Sequence, residues 1–482
     1  MKFDYDLIIL GSGPAGFSAA MQSTKFNKKV LLVEADEKHL GGAWINAGTV
    51  PSKALREAAA IIYKHSQSFG DTEGKKAFQR FKMKDLLRYK SKVVDYENSE
   101  VKRNLIKNEV DTARGYGRII DENTVEIDSH TGKKKRYTSK FILLSTGSRS
   151  EPPAKFTVDH KIVKDNTSLT EMTHIPRRLV IIGSGVNAVE YATIFAALGT
   201  KVSMLNLQKE ILPFLDDEIR DEFFTALKKH RIVISDNVVI ESVDLNRLRN
   251  CTEVRFKTKD DDRLQVIETE QVIHFGRRMP NTKDIGLENV GITTDSRGYI
   301  NVDKHYRTSV PSIFAAGDIT GQPGLASASF TQGRVASCNM HGESEMELAG
   351  FNPYGIYTIP EISSIGLTEK EAEGLGKDIT IGRAFFKELT KSSVSNNELG
   401  LLKLVIDTST QKLLGVHIIG EFACDLIHIG QSVLVNDLEV SYFIDNILNY
   451  PTFSEAYRVA AFNGINRINK AGVKYRKTTE SA

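Results

Sequence analysis

Apolar residues come in short unbroken blocks set between glycine-rich turns and helix-like stretches. The first block, Tyr5-Asp6-Leu7-Ile8-Ile9-Leu10, leads into Gly11-Ser12-Gly13-Pro14-Ala15-Gly16, an alanine-rich stretch to about Phe26, and a second block, Val30-Leu31-Leu32-Val33, ending on Glu34. A continuous apolar run bounded by a glycine turn and a helical pattern reads as a buried parallel strand, so this order predicts a βαβ unit. The succession returns as Leu179-Val180-Ile181-Ile182, Gly183-Ser184-Gly185-Val186-Asn187-Ala188, a helix through Leu198, and Lys201-Val202-Ser203-Met204-Leu205-Asn206. Gly11 to Glu34 and Gly183 to Asn206 both span 23 positions (34 − 11 and 206 − 183). Two units of one spacing predict two bound dinucleotides.

Between them, Phe141-Ile142-Leu143-Leu144-Ser145-Thr146-Gly147-Ser148 reads as a buried strand running into a turn, and Pro152-Pro153 marks a domain boundary. A second crossing is expected at Gly276-Arg277-Arg278-Met279-Pro280-Asn281, after which Ile313-Phe314-Ala315-Ala316-Gly317-Asp318 again reads as a strand and an acid-bearing turn. The expected fold class is therefore α/β, with two Rossmann-like dinucleotide-binding domains, the second inserted in the first. From about Gly350 the pattern continues without phosphate-type loops, which predicts a C-terminal α+β domain. The expected boundaries are 1–152, 153–276, 277–349 and 350–473, followed by a polar, mobile tail over 474–482.

A chain of 482 residues exceeds what one hydrophobic core supports. Its 64 Lys and Arg against 61 Asp and Glu leave a net charge of +3, which makes no case for nucleic acid or an anionic membrane as a partner. Lys133-Lys134-Lys135-Arg136, just after Gly132, reads as a solvated hairpin end. The three cysteines, Cys251, Cys338 and Cys424, lie far apart without CxxC or metal-ligand spacing, so no metal is expected and a reducing compartment suits them. A strand pattern begins at Tyr5, so no targeting segment is expected, and no apolar run approaches the ~18 residues of a spanning helix. A cytoplasmic protein is expected.

The glycine turns carry the clearest chemistry. They let backbone N–H groups approach a pyrophosphate at a helix N-terminus, where the dipole favours negative charge. Glu34 and Asn206 then fall where a ribose would be read, although either could be a plain strand end. An acid at position 206 would bind the ribose diol of NAD and repel a 2′-phosphate; neutral Asn206 suits either cofactor, with Lys209 close enough to help a phosphate. Ala188 adds a methyl where the third glycine of the pattern would stand. Asp318 could be a simple turn former. Leu325 to Met340 reads as a helix beginning soon after it, a core element or one with its positive end toward a ligand.

Leu40-Gly41-Gly42-Ala43-Trp44-Ile45-Asn46-Ala47-Gly48-Thr49-Val50-Pro51-Ser52-Lys53 resembles the GGxCxNxGCxPSK segment of the pyridine nucleotide-disulfide oxidoreductase family, and with the two glycine turns the resemblance covers nearly the whole chain. It implies FAD in the interrupted domain, NAD(P) in the insert and a homodimer built through the C-terminal domain. It further implies that Gly11, Gly13 and Gly16 cradle the FAD pyrophosphate and Glu34 takes the adenosine ribose. Gly42, Trp44, Gly115, Thr146, Gly147, Asp318 and Ala326 match positions lining FAD, and Gly183, Gly185, Ala188, Glu190, Asn206 and Gly276 positions lining NAD(P). Lys53 matches the lysine beside flavin N5 and Glu190 its carboxylate partner; these two are the expected catalytic residues.

The departures point to the reaction. Trp44 and Thr49 stand where the family has its redox cysteines, and neither side chain can exchange thiols. In Asn449-Tyr450-Pro451-Thr452-Phe453-Ser454-Glu455, Tyr450 replaces the family histidine, and a phenol with a pKa of about 10 is a poor proton shuttle at neutral pH. Gly355-Ile356-Tyr357-Thr358-Ile359-Pro360-Glu361-Ile362-Ser363-Ser364, Ile427-His428-Ile429-Gly430-Gln431 and Tyr457-Arg458-Val459-Ala460-Ala461-Phe462-Asn463-Gly464 are similar to the soluble pyridine nucleotide transhydrogenase branch, which usually keeps the first cysteine. That likeness implies a flavoprotein oxidoreductase moving hydride between NADPH and NAD⁺ by a ping-pong route through flavin, without a redox disulfide. The competing expectations are an NAD(P)H dehydrogenase with a quinone or oxygen acceptor, and a non-catalytic FAD-binding dimeric scaffold.

Overall fold

A computed structural model of the chain describes residues 2–68, 81–249, 251–321, 323–342 and 350–479. The strands Tyr5–Leu10 and Val30–Glu34 pair in parallel around the helix Pro14–Lys25, with Leu7 opposite Val30 and Leu10 opposite Val33. Leu7 to Leu10 and Val30 to Glu34 are buried, as continuous apolar runs in a two-faced sheet must be, while Tyr5 and Asp6 are half-buried. Asp111–Arg114 extends the sheet beyond Val30–Glu34, and the long strand Lys134–Leu144 flanks Tyr5–Leu10 on the other side. The C-terminal half of that strand also takes Ile313–Ala315 in parallel, which returns the chain to the first sheet after the insert. Its N-terminal half pairs antiparallel with Thr124–Asp128, and the basic residues 133–136 are exposed at the hairpin end.

The insert carries its own parallel sheet, in the order Val233–Ser235, Lys201–Leu205, Arg178–Ile182, Gln271–His274, Val163–Lys164. An antiparallel meander over Val238–Asn246, Cys251–Thr258 and Asp261–Thr269 is added to it. Where the chain enters and leaves the insert, Ser148–Ser150 and Arg278–Pro280 pair antiparallel, so both crossings form one short ribbon between the two sheets.

The C-terminal region folds as an antiparallel sheet in the order Tyr354–Ile356, Glu361–Gly366, Leu413–Gly420, Leu401–Asp407, Ile379–Phe385. The helices Ala423–Val435 and Glu455–Thr479 contribute Leu426, Ile427, Tyr457 and Ala460 to its core. The last helix runs past the 473 boundary expected from composition, and residues 480–482 of the expected tail lie outside the described residues. The helices Pro14–Lys25 and Ala326–His341 cross in contact, since a Cβ on Gly333 would lie 2.0 Å from the Ala15 carbonyl oxygen. Both begin at one cleft.

Candidate active site

A cleft of about 1890 Å³ runs between the two parallel sheets and reaches the C-terminal domain. Both glycine turns open into it. Gly11 has φ +103° and Gly183 φ +125°, a backbone that a side chain would strain, and a Cβ there would lie 2.4 Å from the Ser145 carbonyl oxygen or 2.7 Å from that of Phe275. Gly13 and Gly185, two residues later, have no atom within 4 Å of where a Cβ would be. They cap the helices Pro14–Lys25 and Val186–Ala197, neither of which has a side-chain cap. Each helix therefore offers uncapped N–H groups and its positive end to the cleft, with room for a phosphate to come close. Both turns fit a dinucleotide.

Gly16 does not face the cleft: a Cβ there would meet the Gly11 carbonyl oxygen at 2.0 Å, so this glycine permits close helix–strand contact. Ala188 occupies the corresponding place in the second unit, is fully buried, and borders the cleft. Glu34 lines the cleft at the end of its strand. Its Oε2 accepts from the Ser12 backbone N–H at 3.1 Å and from the Ser12 hydroxyl, while Oε1 accepts from the Asp36 N–H at 2.9 Å.

Asn206 behaves differently from the expectation. It is fully buried and does not border the cleft. Its amide nitrogen donates to Asp236 Oδ1 at 2.7 Å and its carbonyl accepts the Gln208 N–H at 2.9 Å, so both ends of the side chain are used inside the protein. Gln208 and Lys209 stand at the cleft instead.

Gly42, Gly115, Gly147 and Gly276 line the cleft, as do Thr146, Asp318 and Ala326. The Thr146 hydroxyl donates to the Asn281 carbonyl at 2.7 Å, which makes this side chain a fastener between the crossing strands. Asp318 Oδ2 accepts from the Ser148 hydroxyl and from Arg278 Nη2, each at 2.7 Å. Ala326 is the first residue of its helix, whose N-terminus has no side-chain cap and faces the cleft beside Gly324 and Leu325.

Lys53 and Glu190, 137 positions apart, meet in the cleft. Lys53, early in the helix Thr49–Ser68, donates to Glu190 Oε1 at 3.0 Å and Oε2 at 2.9 Å; the lysine side chain is 27% exposed and the glutamate 1%. The Tyr357 N–H donates to Glu190 Oε1 at 2.9 Å, and the Tyr357 ring lies under the ammonium at 4.7 Å. A buried carboxylate with an ammonium and an amide donor stays satisfied as an anion, and it holds the cation facing the cleft. Burial first, then nearby Cys424 and acids, raises the Tyr357 hydroxyl above its ordinary range, so that ring stays neutral.

Trp44 and Thr49 both line the cleft. The three cysteines are free; Cys424 borders the cleft, its thiol pushed up by burial and then by Glu361, and has no second cysteine to pair with. Tyr450 lies outside the cleft on an exposed face, its hydroxyl donating to Thr390 Oγ1 at 2.7 Å.

Sequence reasoning did not assign roles to Tyr357, Arg278, Ser148 or Gln332, whose Oε1 accepts the Gly317 N–H at 2.8 Å. Tyr357 and Arg278 fall in runs already singled out, GIYTIP and GRRMPN, and that placement was the available signal.

Comparison with known proteins agrees with this geometry. Residues 5–333 match the family model described as pyridine nucleotide-disulphide oxidoreductase, and residues 352–461 match the dimerisation domain of the same family. The chain is 37% identical over 470 residues to the soluble pyridine nucleotide transhydrogenase of Pseudomonas aeruginosa (strain LESB58), covering 97% of this chain and 99% of that one. It is 36% identical over 474 residues to the protein of that name from Azotobacter vinelandii, with the same coverage. Among solved structures it is similar to the HOCl-induced flavoprotein disulfide reductase RclA from Escherichia coli, with a TM-score of 0.83, 27% identity, and 95% and 99% of the two chains covered.

Proposed function

The chain belongs to the pyridine nucleotide-disulphide oxidoreductase family, and we propose that within it this protein is an NAD(P)⁺ transhydrogenase, moving hydride between NADPH and NAD⁺ without a redox disulfide. It is a flavoenzyme: FAD is its cofactor and nicotinamide dinucleotides are its substrates. One observation carries the reading. The cleft joins two dinucleotide turns and the Lys53–Glu190 pair, yet holds Trp44 and Thr49 where thiols would be needed to send electrons to a disulfide.

FAD bound there supplies a group that takes up and returns hydride. The chain's own residues hold and tune it. The N-terminus at Pro14 and the glycine turn receive one pyrophosphate, and Glu34 is placed for the ribose beyond. Asp318, steadied by Ser148 and Arg278, keeps a second oxygen for a ligand hydroxyl. Lys53 places a positive charge in the cleft, where it favours an electron-rich ring, and Glu190 keeps that charge paired and pointed. The uncapped helix start at Ala326 adds positive potential. The N-terminus at Val186 receives the second pyrophosphate, so NADP⁺ leaves before NAD⁺ enters, a ping-pong order.

A homodimer through the C-terminal domain is part of the proposal, supported by the dimerisation-domain match and testable by equilibrium sedimentation. A cytoplasmic setting goes with the three free cysteines. No helix among the described residues is long and apolar enough to cross a membrane.

Anaerobic stopped-flow absorbance tests the reaction. NADPH should bleach the flavin band, and thio-NAD⁺ in a second mix should restore it with thio-NADH appearing. Bleaching without recovery would move the acceptor to quinones or oxygen, and no bleaching would leave a scaffold.

A further inference from the structure

Trp44 is the only tryptophan of the chain, and it faces the cleft from the short helix Gly42–Asn46. Behind it stand two more rings that do not reach the cleft. Phe330 meets the indole edge-on, with centroids 4.9 Å apart and planes at 74°, and Phe17 lies at 6.2 Å and 51°. Phe17 and Phe330 touch each other at 6.5 Å and 85°, closing a triangle. These two belong to the helices Pro14–Lys25 and Ala326–His341, both of which begin at the cleft.

An aromatic ring backed from two directions by rings on two crossing helices has little freedom to swing. Its N–H has no hydrogen-bond acceptor among the described residues, and it is not one of the side-chain atoms shut away from solvent without a partner. Along the same segment, Thr49 and Lys53 complete the lining. Nothing else in the mechanism uses so large and so firmly held a side chain at this place.

Resting on the reading that the cleft holds FAD and passes hydride to a nicotinamide, we propose that Trp44 determines which acceptors are served: its braced ring closes the Thr49 side of the cleft to thiols, disulfides and molecular oxygen. Exchange with a second dinucleotide is then the open route. The excluded reactions are ordinary two-electron ones. With oxygen the balance is NADPH + H⁺ + O₂ → NADP⁺ + H₂O₂, and with a disulfide NADPH + H⁺ + RSSR → NADP⁺ + 2 RSH.

The test uses the flavin-loaded enzyme and two independent readouts. First, because Trp44 is the sole tryptophan, emission excited at its red edge reports on it alone. In the holoenzyme that emission should be almost completely quenched by the flavin and should return when guanidinium releases the cofactor. Emission undiminished in the holoenzyme would place the indole away from the flavin and overturn the proposal. Second, NADPH-driven hydrogen peroxide formation without NAD⁺ should rise about tenfold per flavin in Trp44→Ala. Trp44→Phe, which keeps a ring against Phe17 and Phe330, should restore the low leak. If Trp44→Ala does not retain flavin, Trp44→Leu keeps the apolar volume while removing the ring and should leak likewise. A leak equal to wild type in flavin-replete Trp44→Ala or Trp44→Leu would overturn the proposal. Failure of wild-type enzyme to reduce thio-NAD⁺ would instead defeat the transhydrogenase reading, and that half-reaction is measured separately.

Discussion

The two βαβ units share their spacing, their glycine turns and their uncapped helix starts, but treat the residue at the end of the second strand in opposite ways. Glu34 borders the cleft and latches its own glycine turn through the Ser12 N–H and hydroxyl. Asn206 turns inward to Asp236 and the Gln208 N–H. A carboxylate only accepts, so it is drawn to the donors of the turn; a carboxamide also donates, and here its donor finds a carboxylate at the end of the neighbouring strand. Equal positions along a chain therefore do not give equal roles. The second unit is also held from outside, by charges it shares with the C-terminal domain.

The largest effects should come from the turns themselves, where the units are most alike and their ligands differ. Gly11→Ala combines φ +103° with a carbonyl oxygen 2.4 Å from the new Cβ, a strain of about 2–4 kcal/mol at the cofactor turn. It should lower flavin content, read from the ratio of visible to ultraviolet absorbance. Gly183→Ala, at φ +125° and 2.7 Å, should keep flavin and lose reduction by NADPH. Equal flavin loss in both variants would break the assignment of one ligand to each unit.

The units meet at Glu190, which the second one lends to Lys53 of the first. Glu190→Gln leaves the ammonium without its counter-charge, and about 2 kcal/mol of lost stabilisation corresponds to a roughly thirty-fold slower flavin bleaching by NADPH. The effect should fall on the rate at saturation more than on the concentration giving half that rate.

Much of this was legible in the chain. The apolar blocks marked the two parallel strands of each βαβ unit because a strand buried on two faces admits few polar residues. The distant Lys53 and Glu190 could be paired because each sits in a recognisable run. The fate of Asn206 was hidden, since it depends on Asp236, 30 positions on, reached only when two strands align. Tyr357 was hidden for a similar reason: its ring and its N–H come from a third domain to a pair formed by the other two. The helix start at Ala326 and the glycines were visible as local patterns; the braced triangle of Trp44, Phe17 and Phe330 was not, because its corners lie on three separate elements.

Asn206→Asp sharpens the contrast between the units. If position 206 read a ribose, the acid would simply shift preference toward NAD. Buried against Asp236, it instead sets two carboxylates at hydrogen-bond distance, so one must hold a proton and its pKa in the folded state rises above the unfolded value. A raised carboxyl pKa gives stability present at low pH and lost as pH rises. The variant should therefore be about 1–2 kcal/mol less stable at pH 8 and regain most of that only at about pH 4 and below, measured by denaturant unfolding. A change in nucleotide preference with unaltered stability would return Asn206 to the binding site.

The smallest and most local effect lies where the second unit is tied to the C-terminal domain. Lys403, 1% exposed, bonds Asp216 and Glu218 at 2.9 Å and also pairs with Glu369, while Arg383 grips Glu218 with two nitrogens. The Arg383 hydrogen bonds, joined by Lys403 and opposed by burial, hold the Glu218 carboxyl at about 2, below its ordinary 4.5. A depressed carboxyl pKa contributes stability above the unfolded value that is lost as pH falls through the folded one, so this seam should loosen between about pH 4.5 and 2. Amide hydrogen exchange would show it as faster exchange in the helix Asp217–Lys229 and the strand Ile379–Phe385 before the strand Tyr5–Leu10 is affected. Glu218→Gln should lower protection of both seam elements at neutral pH and flatten their response to acid. If acid exposes the first sheet at the same pH as the seam, the two units are not held separately, and the contrast between them ends at the cleft.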